Sequence, residues 1–509
     1  MDKNYVGGMN FVERFRLPSF GRMLAKDRER FIDTCKVIKK MQELHLEETE
    51  FLHPEENLRR LADELAENID GGVYDKSVNF MGKNSKQLER FLKRHPGCTI
   101  NIRARWLEVV STIHVPSHVK INGNGVVFVS KNVKNIFEIA DAQDIVIENV
   151  TIAENAVNGI CVDNGKDISV YGCCIERLLG KPLILCGNCS YIYLHDNQFR
   201  ENKEGGIYIG NESNHVRIEK NVIEWNYGTS NWMAGITLTG VRGTRATDIW
   251  EQFDEDRHFP RDTGMRYVAT YPHDIIIQDN FIRNNTSSGV YLDGAYRIYI
   301  TGNTVGWNDK EGICLDYGTL GAYVYGNTFR ENGRRARQME RDLKLDFVAE
   351  YGRLEDGSAC AKLPGVSVDN SAYNILQNNA IVGNYGGGIK MVRTALRNLY
   401  VSNLIDGNNQ GQSEKFHFFG IELGYAKSDN EKDDIDFRPD YENVICRNVI
   451  EGSHYAGVYL GEGTYCNDVF DNIIMDCIMY SVESCSGYFN SVVENHTVIP
   501  MHGELLEET

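Results

Sequence analysis

The chain of 509 residues carries no surplus of basic charge: 54 Lys and Arg stand against 72 Asp and Glu, a formal net charge of -18 at pH 7. A nucleic-acid partner needs Lys and Arg gathered along one face, and no sustained basic stripe is present; the stretch at Arg334, Arg335 and Arg337 is local. No apolar run approaches the roughly 18 residues a membrane helix requires, so no membrane partner is expected. The opening MDKNYVGGMNFVERFRLPSFGR lacks the apolar core of a secretory signal, and the expected address is cytoplasmic. The 13 Cys are an odd number, and Cys161, Cys173, Cys174, Cys186 and Cys314 fall inside apolar strands. Reduced, buried thiols are expected rather than disulfides. Cys186 and Cys189 have no second pair and no His partner, which argues against a zinc site.

What is present is a repeat. An apolar strand, an Asn, an apolar pair and a short polar turn recur as RIEKNVIEWN, IIIQDNFIRNN, IYITGNTVGWN, AYVYGNTFREN and NILQNNAIVGN. Taking the Asn as marker gives Asn149, Asn197, Asn221, Asn280, Asn303, Asn327, Asn379, Asn403, Asn448, Asn472 and Asn495, most neighbours being 23 or 24 residues apart. That step suits one turn of a three-sided parallel β-helix. Stacked side-chain amides satisfy one another along such a solenoid, so this ladder is read as scaffold.

A second marker in each coil carries more chemistry. The pattern Gly-apolar-x-apolar-x appears as GICVD from Gly159, GIYIG from Gly206, GITLT from Gly235, GVYLD from Gly289, GICLD from Gly312, GVSVD from Gly365, GIKMV from Gly388, GIELG from Gly420 and GVYLG from Gly457. Strand alternation sends the second and fourth residues into the coil and the third and fifth outward. With coils about 4.8 Å apart, Asp293, Asp316 and Asp369 form one outward column beside Lys390 and Glu422. Like charges stacked on neighbouring strands are destabilising, which points to function rather than scaffold.

The chain divides into a helical region over residues 1–90, a β-helix over 91–498 and a tail over 499–509. RERFIDTCKVIKKMQELH and PEENLRRLADELAENI space apolar residues at three and four, with Pro54 opening the second run. Subunit association through these helices is left open. Oversized steps place insertions near 241–273, 333–363 and 406–440, around the charged block. Such insertions usually build a binding face. They offer Trp250 and His417 for stacking on sugar rings and Arg335 for anionic groups, with Arg393 and Tyr291 as further substrate contacts.

A short amphipathic helix in SKQLERFLKRHPG precedes alternating strands and a Gly-Asn-Gly turn. This entry plug, the repeat and the groove resemble the pectate-lyase-like superfamily over roughly residues 80 to 498. The resemblance implies an all-β, right-handed parallel β-helix that acts on carbohydrate polymers. The Gly-His-Gly and Arg-x-Lys signatures of polygalacturonases are absent. YPHD at Tyr271 to Asp274 is similar to the Asp-Pro-His-Asp/Glu motif of alginate epimerases, but Asp274 sits in the slot before a strand that Asp144 and Asp167 also fill, so it reads as a turn.

Three functions follow. The first is a glycoside hydrolase acting on oligosaccharides, with Asp316 and Asp369 as the central carboxylate pair, Asp293 or Glu422 as the alternative partner, and Lys390 orienting one of them. The second is a lyase or uronate epimerase, with Lys390, His417 or Arg393 neutralising a sugar carboxylate, or Ca²⁺ held by the Asp column. The third is a non-catalytic solenoid that binds glycans. No other cofactor or metal is expected.

Overall fold

The computed structural model describes residues 46–68, 74–130, 132–228, 233–240, 271–316, 318–333, 363–369, 371–392, 395–410, 417–424, 440–452, 454–461, 464, 466–485 and 489–498. The expected helix over 28–45, the tail and most of the three insertions lie outside these residues.

The regular coil repeats three strands. In one, His273–Gln278 forms the first face, Phe281–Arg283 the second and Val290–Asp293 the third. All pair in parallel with the coils before and after, as the repeat predicts. The first and second faces make up a 27-stranded sheet, and the third is a separate 13-stranded sheet. Inward residues such as Ile282, Leu292 and Ile300 are completely buried. The sheet begins earlier than expected. Lys76–Phe80 already pairs with Cys98–Ile102, so the helical reading of residues 1–90 is corrected there: five alternating residues between two helices are too few to stand out. The entry plug is the helix Ser85–Arg94 (α2), started by the Asn84 side chain accepting from the Gln87 amide and closed over the core by Leu88 and Leu92.

Asparagine holds the corners in three ladders, not one. From Asn197 to Asn495 each amide donates to the next at 2.9 to 3.0 Å. A second ladder runs from Asn202 through Asn226, Asn285, Asn308, Asn332 and Asn384 to Asn408, and a third from Asn374 to Asn490. Asn149 belongs to none. It is exposed in the left-handed corner position (φ 54) that Gly172, Asp196 and Lys220 occupy in the following coils, one residue ahead of the ladder.

The second ladder ends on His454, whose Nε2 accepts from the Asn408 amide at 3.2 Å. Burial holds this imidazole down at about 4, against an ordinary 6.5. Its folded form is therefore the neutral one, and the stability it contributes is present above pH 6.5 and lost as pH falls toward 4. In urea titrations across that window, His454→Asn, which extends the amide ladder with a group that does not titrate, should flatten the acid loss of stability.

Helix Pro54–Asn68 (α1), with the preceding turn Glu48–Phe51, lies along the outside of the first face. Leu61 and Leu65 pack in one cluster with Ile276, Tyr299 and Tyr323. Phe51 stacks on Tyr373 with centroids 5.5 Å apart, and Arg297 reaches Glu50 at 2.7 Å. At the other end Glu64 accepts from Tyr191 at 3.1 Å and meets His215 at 3.2 Å. The apolar face of α1 is thus used inside its own chain.

Candidate functional site

The third face explains its own Gly marker. A Cβ at Gly312 would meet the Gly365 carbonyl of the next coil at 2.8 Å, and one at Gly235 the Gly289 carbonyl at 2.7 Å, so a side chain at either would force these coils apart at this corner. The marker is missing where Ile136, Pro182 or Ser481 stands in that position; the strand that follows Pro182 is Leu183–Cys186.

The outward columns run as the alternation predicts. Thr237, Tyr291, Cys314, Ser367, Lys390, Glu422 and Tyr459 stand in register, as do Thr239, Asp293 and Asp316, with Asp369 opposite Val392. These positions are not an open surface, however. Asp293 and Asp316 are each 6% exposed, Tyr291 2% and Lys390 8%.

Asp293 and Asp316 are neighbours with unequal surroundings. Burial first, then the charge of Asp316, holds the Asp293 carboxyl well above the usual carboxylate range, against a hydrogen bond from Thr239. Asp316 instead accepts the Tyr291 hydroxyl at 2.9 Å. Tyr291, expected as a substrate contact, is a buried support for that carboxylate. Burial also pushes the Tyr208 hydroxyl well up, with Cys186 and Asp293 adding to it. Lys390, expected to orient an Asp, is paired with Glu422 at 2.6 Å because the two sit directly opposite on adjacent strands. Asp369 is half-buried. His417 is exposed and stacks on Tyr455 at 3.8 Å, beyond the Lys390–Glu422 end of the column. Trp250, Arg335 and Arg393 lie outside the described residues.

Two neighbours of this site, Lys181 and Asp440, escaped sequence reasoning, and a third, Tyr271, entered it only through YPHD and the insertion that carries it. Tyr271 lies in a trough formed by Gly240, Gly294 and Gly318: a Cβ at either of the first two would run into its ring, and one at Gly318 would stand 3.2 Å from its hydroxyl. Glycines following the outward positions of three successive coils were the available signal. Lys181 is fully buried over the Tyr208 ring, 5.4 Å from its centroid, and burial lowers its ammonium to about 8. Its coil is one of those that lack the Gly marker. Asp440 caps the Ala395 and Gly424 amides at 2.8 and 3.0 Å, and burial raises it to about 7; it looked like the end of an insertion. Asp274, by contrast, is the structural turn the sequence suggested, left-handed (φ 52) and gripped by Arg297 at 2.6 and 2.8 Å.

Among the described residues no group of three or more His, Cys, Asp or Glu is arranged to hold a metal ion, and no helix is long and apolar enough to cross a membrane.

The family model described as right handed beta helix region matches residues 113–244 and 266–431. No curated protein matches the chain. Among solved structures, it is similar to the catalytic domain of a GH87 alpha-1,3-glucanase in complex with tetrasaccharides, with 13% identity over 82% of this chain and 69% of that one and a TM-score of 0.53. It is also similar to the Azotobacter vinelandii mannuronan C-5 epimerase AlgE4 A-module, with 13% identity over 85% of this chain and 98% of that one and a TM-score of 0.49. At 13% identity the likeness to the glucanase domain establishes the fold alone.

Proposed function

Because the chain belongs to the right-handed β-helix family, we propose that it is a carbohydrate-active enzyme, a glycoside hydrolase acting on oligosaccharides with Asp293 and Asp316 as its carboxyl pair. The observation that carries this reading is the inequality of the two groups. Asp293, buried beside a like charge, keeps its proton and suits the general acid; Asp316, steadied by the Tyr291 hydroxyl, suits the ionised partner. The pair favoured from sequence, Asp316 and Asp369, gives way to the pair one coil earlier.

In the proposed reaction Asp293 protonates the leaving glycosidic oxygen as the bond to the anomeric carbon breaks. Adjacent coils stand about 4.8 Å apart, nearer to the roughly 5–5.5 Å of retaining enzymes than to the ~6.5–9.5 Å that an interposed water requires. Asp316 then attacks the anomeric carbon, and water releases the sugar with Asp293 acting as base. Both carboxyls are 6% exposed, so a sugar must displace covering side chains to reach them. A glucanase of similar fold holding tetrasaccharides supports the substrate class, and a cytoplasmic address would suit oligosaccharides over long polymers.

The test is incubation with a panel of neutral and uronate oligosaccharides, followed by product analysis. Saturated products with a new reducing end are expected. Unsaturated ends, or inversion at C5 without cleavage, would instead support a lyase or epimerase. Binding without turnover across the panel would support a glycan-binding solenoid.

A further inference from the structure

The row of fifth outward positions continues past the carboxyl pair. Before Asp293 come Thr239 and then Gly210, each opposite the next on adjacent strands. Gly210 contributes no side chain, but its place is taken from within the same strand: a Cβ there would stand 3.0 Å from the Tyr208 ring and 3.2 Å from its hydroxyl. In coil order the row therefore presents the Tyr208 hydroxyl, the Thr239 hydroxyl, Asp293 and Asp316. One coil step, about 4.8 Å, separates each group from the next.

The Tyr208 hydroxyl is buried and has no hydrogen-bond partner among the described residues. The other tyrosines of its column are used: Tyr291 donates to Asp316 at 2.9 Å, and the Tyr459 hydroxyl accepts from Cys485 at 3.4 Å. A buried hydroxyl without a partner loses its hydration and gains nothing in exchange, and Phe would fill the same space without that penalty. The ring is nonetheless fixed in place. The Lys181 ammonium sits over its face, 5.4 Å from the centroid, and donates to the Glu204 carbonyl at 2.5 Å, while Ile184 and Cys186 of the preceding coil pack against it. Burial keeps the phenol protonated, so it stays a donor. A fixed, unused donor in line with the carboxyl pair points to a ligand atom.

We infer that the Tyr208 hydroxyl binds the leaving-group part of the oligosaccharide, so that the substrate lies along the row with its reducing end toward the N-terminal coils. The inference rests on the hydrolase reading, since it takes Asp293 as the acid. With Asp316 at the anomeric carbon and Asp293 at the leaving oxygen, the departing sugars extend over Thr239 and Gly210. Two coil steps, about 9.6 Å, separate Asp293 from the end of that row, close to the length of two pyranose rings. Tyr208 thus meets the second sugar of the leaving group and donates to one of its oxygens. Because its ring is already held by Lys181 and the coil before it, little freedom is lost when that bond forms.

The test is Tyr208→Phe in the full chain, which keeps the ring and removes the hydroxyl. The substrate is whichever of cello-, malto-, nigero- and xylotetraose the wild type turns over fastest, tagged at its reducing end. The urea midpoint should stay or rise; a fall would give the hydroxyl a partner within the fold and overturn the inference. kcat/KM should drop about three- to tenfold, the worth of one neutral hydrogen bond, and cleavage should move toward shorter tagged fragments as the second leaving sugar loses its hold. An unchanged rate and pattern, or a move toward longer tagged fragments, overturns it. So does an equal loss on an aryl glycoside, whose leaving group ends short of Tyr208, because the hydroxyl would then act through Asp293. If the wild type cleaves none of the four sugars, the hydrolase reading fails by itself. Calorimetry of the same sugars with both proteins then reads the contact alone: weaker binding to the Tyr208→Phe chain supports it, and equal or absent binding overturns it.

Discussion

Asp316→Asn should lower kcat on the preferred oligosaccharide by about 10²–10⁴-fold, with kcat/KM falling in parallel, because the lost group acts in the transition state more than in binding. Asp293→Asn should cost a similar factor on natural leaving groups but far less on aryl glycosides, whose leaving group departs without a proton. The two variants should also differ in their pH profiles. The proposed mechanism requires Asp293 protonated, so activity should fall as pH rises through the raised value of that carboxyl; Asp293→Asn should lose that limb, whereas Asp316→Asn should keep it in whatever rate remains. Steady-state kinetics from pH 4 upward on both substrate types would separate these outcomes. Wild-type rates in both variants would remove the carboxyl pair from the mechanism.

The largest effect on stability is expected at Arg397. Its side chain is completely buried, with Nε donating to Glu442 at 2.8 Å and Nη1 to the Tyr373 hydroxyl at 2.6 Å. Removing one partner of such a pair leaves a poorly solvated charge and a stranded hydroxyl, at a cost of about 3–5 kcal/mol. Arg397→Ala should therefore lower the urea midpoint sharply. Arg397→Lys should recover only part of the loss, because an ammonium cannot make both contacts from one plane. Tyr373 also stacks on Phe51, so the variant should loosen the N-terminal brace too, visible as faster proteolysis near residue 51.

The solenoid was legible because its energetics are periodic: each coil pairs with its neighbours through the same residues, so the signal repeats with the structure. What was misread broke the period by one residue or one substitution. Asn149 has the right residue type but sits one position early, in the left-handed corner, where Asn is also favoured. The second Asn ladder was visible in RIEKNVIEWN, whose final residue, Asn226, looked like a polar turn. Pro182 hid a coil because the marker was Gly. At the site, alternation gave the columns but not their burial, since period 2 tells which way a side chain points and not what lies over it. Nor could it choose between the Asp293–Asp316 and Asp316–Asp369 pairs. That choice depends on Thr239 and Tyr291, each of which stands one coil before the carboxyl it contacts, a pairing the sequence does not spell out. Tyr271 was visible in YPHD but its place was not, its trough being assembled from Gly240, Gly294 and Gly318.

The brace along the first face changes how the coils fail. A bare stack of repeats is held by nearest-neighbour contacts and can fray or open at any joint. Here α1 and its preceding turn tie the coil of Tyr191 to that of Tyr373 through a single continuous segment, so the coils between them share one opening event. Hydrogen exchange should therefore report one cooperative block from about Tyr191 to Tyr373, which includes both carboxyls. The coils beyond Tyr441, outside that tie, should exchange in steps. For a site whose groups stand on separate coils, that shared opening preserves the spacing between them even when the ends of the solenoid come and go.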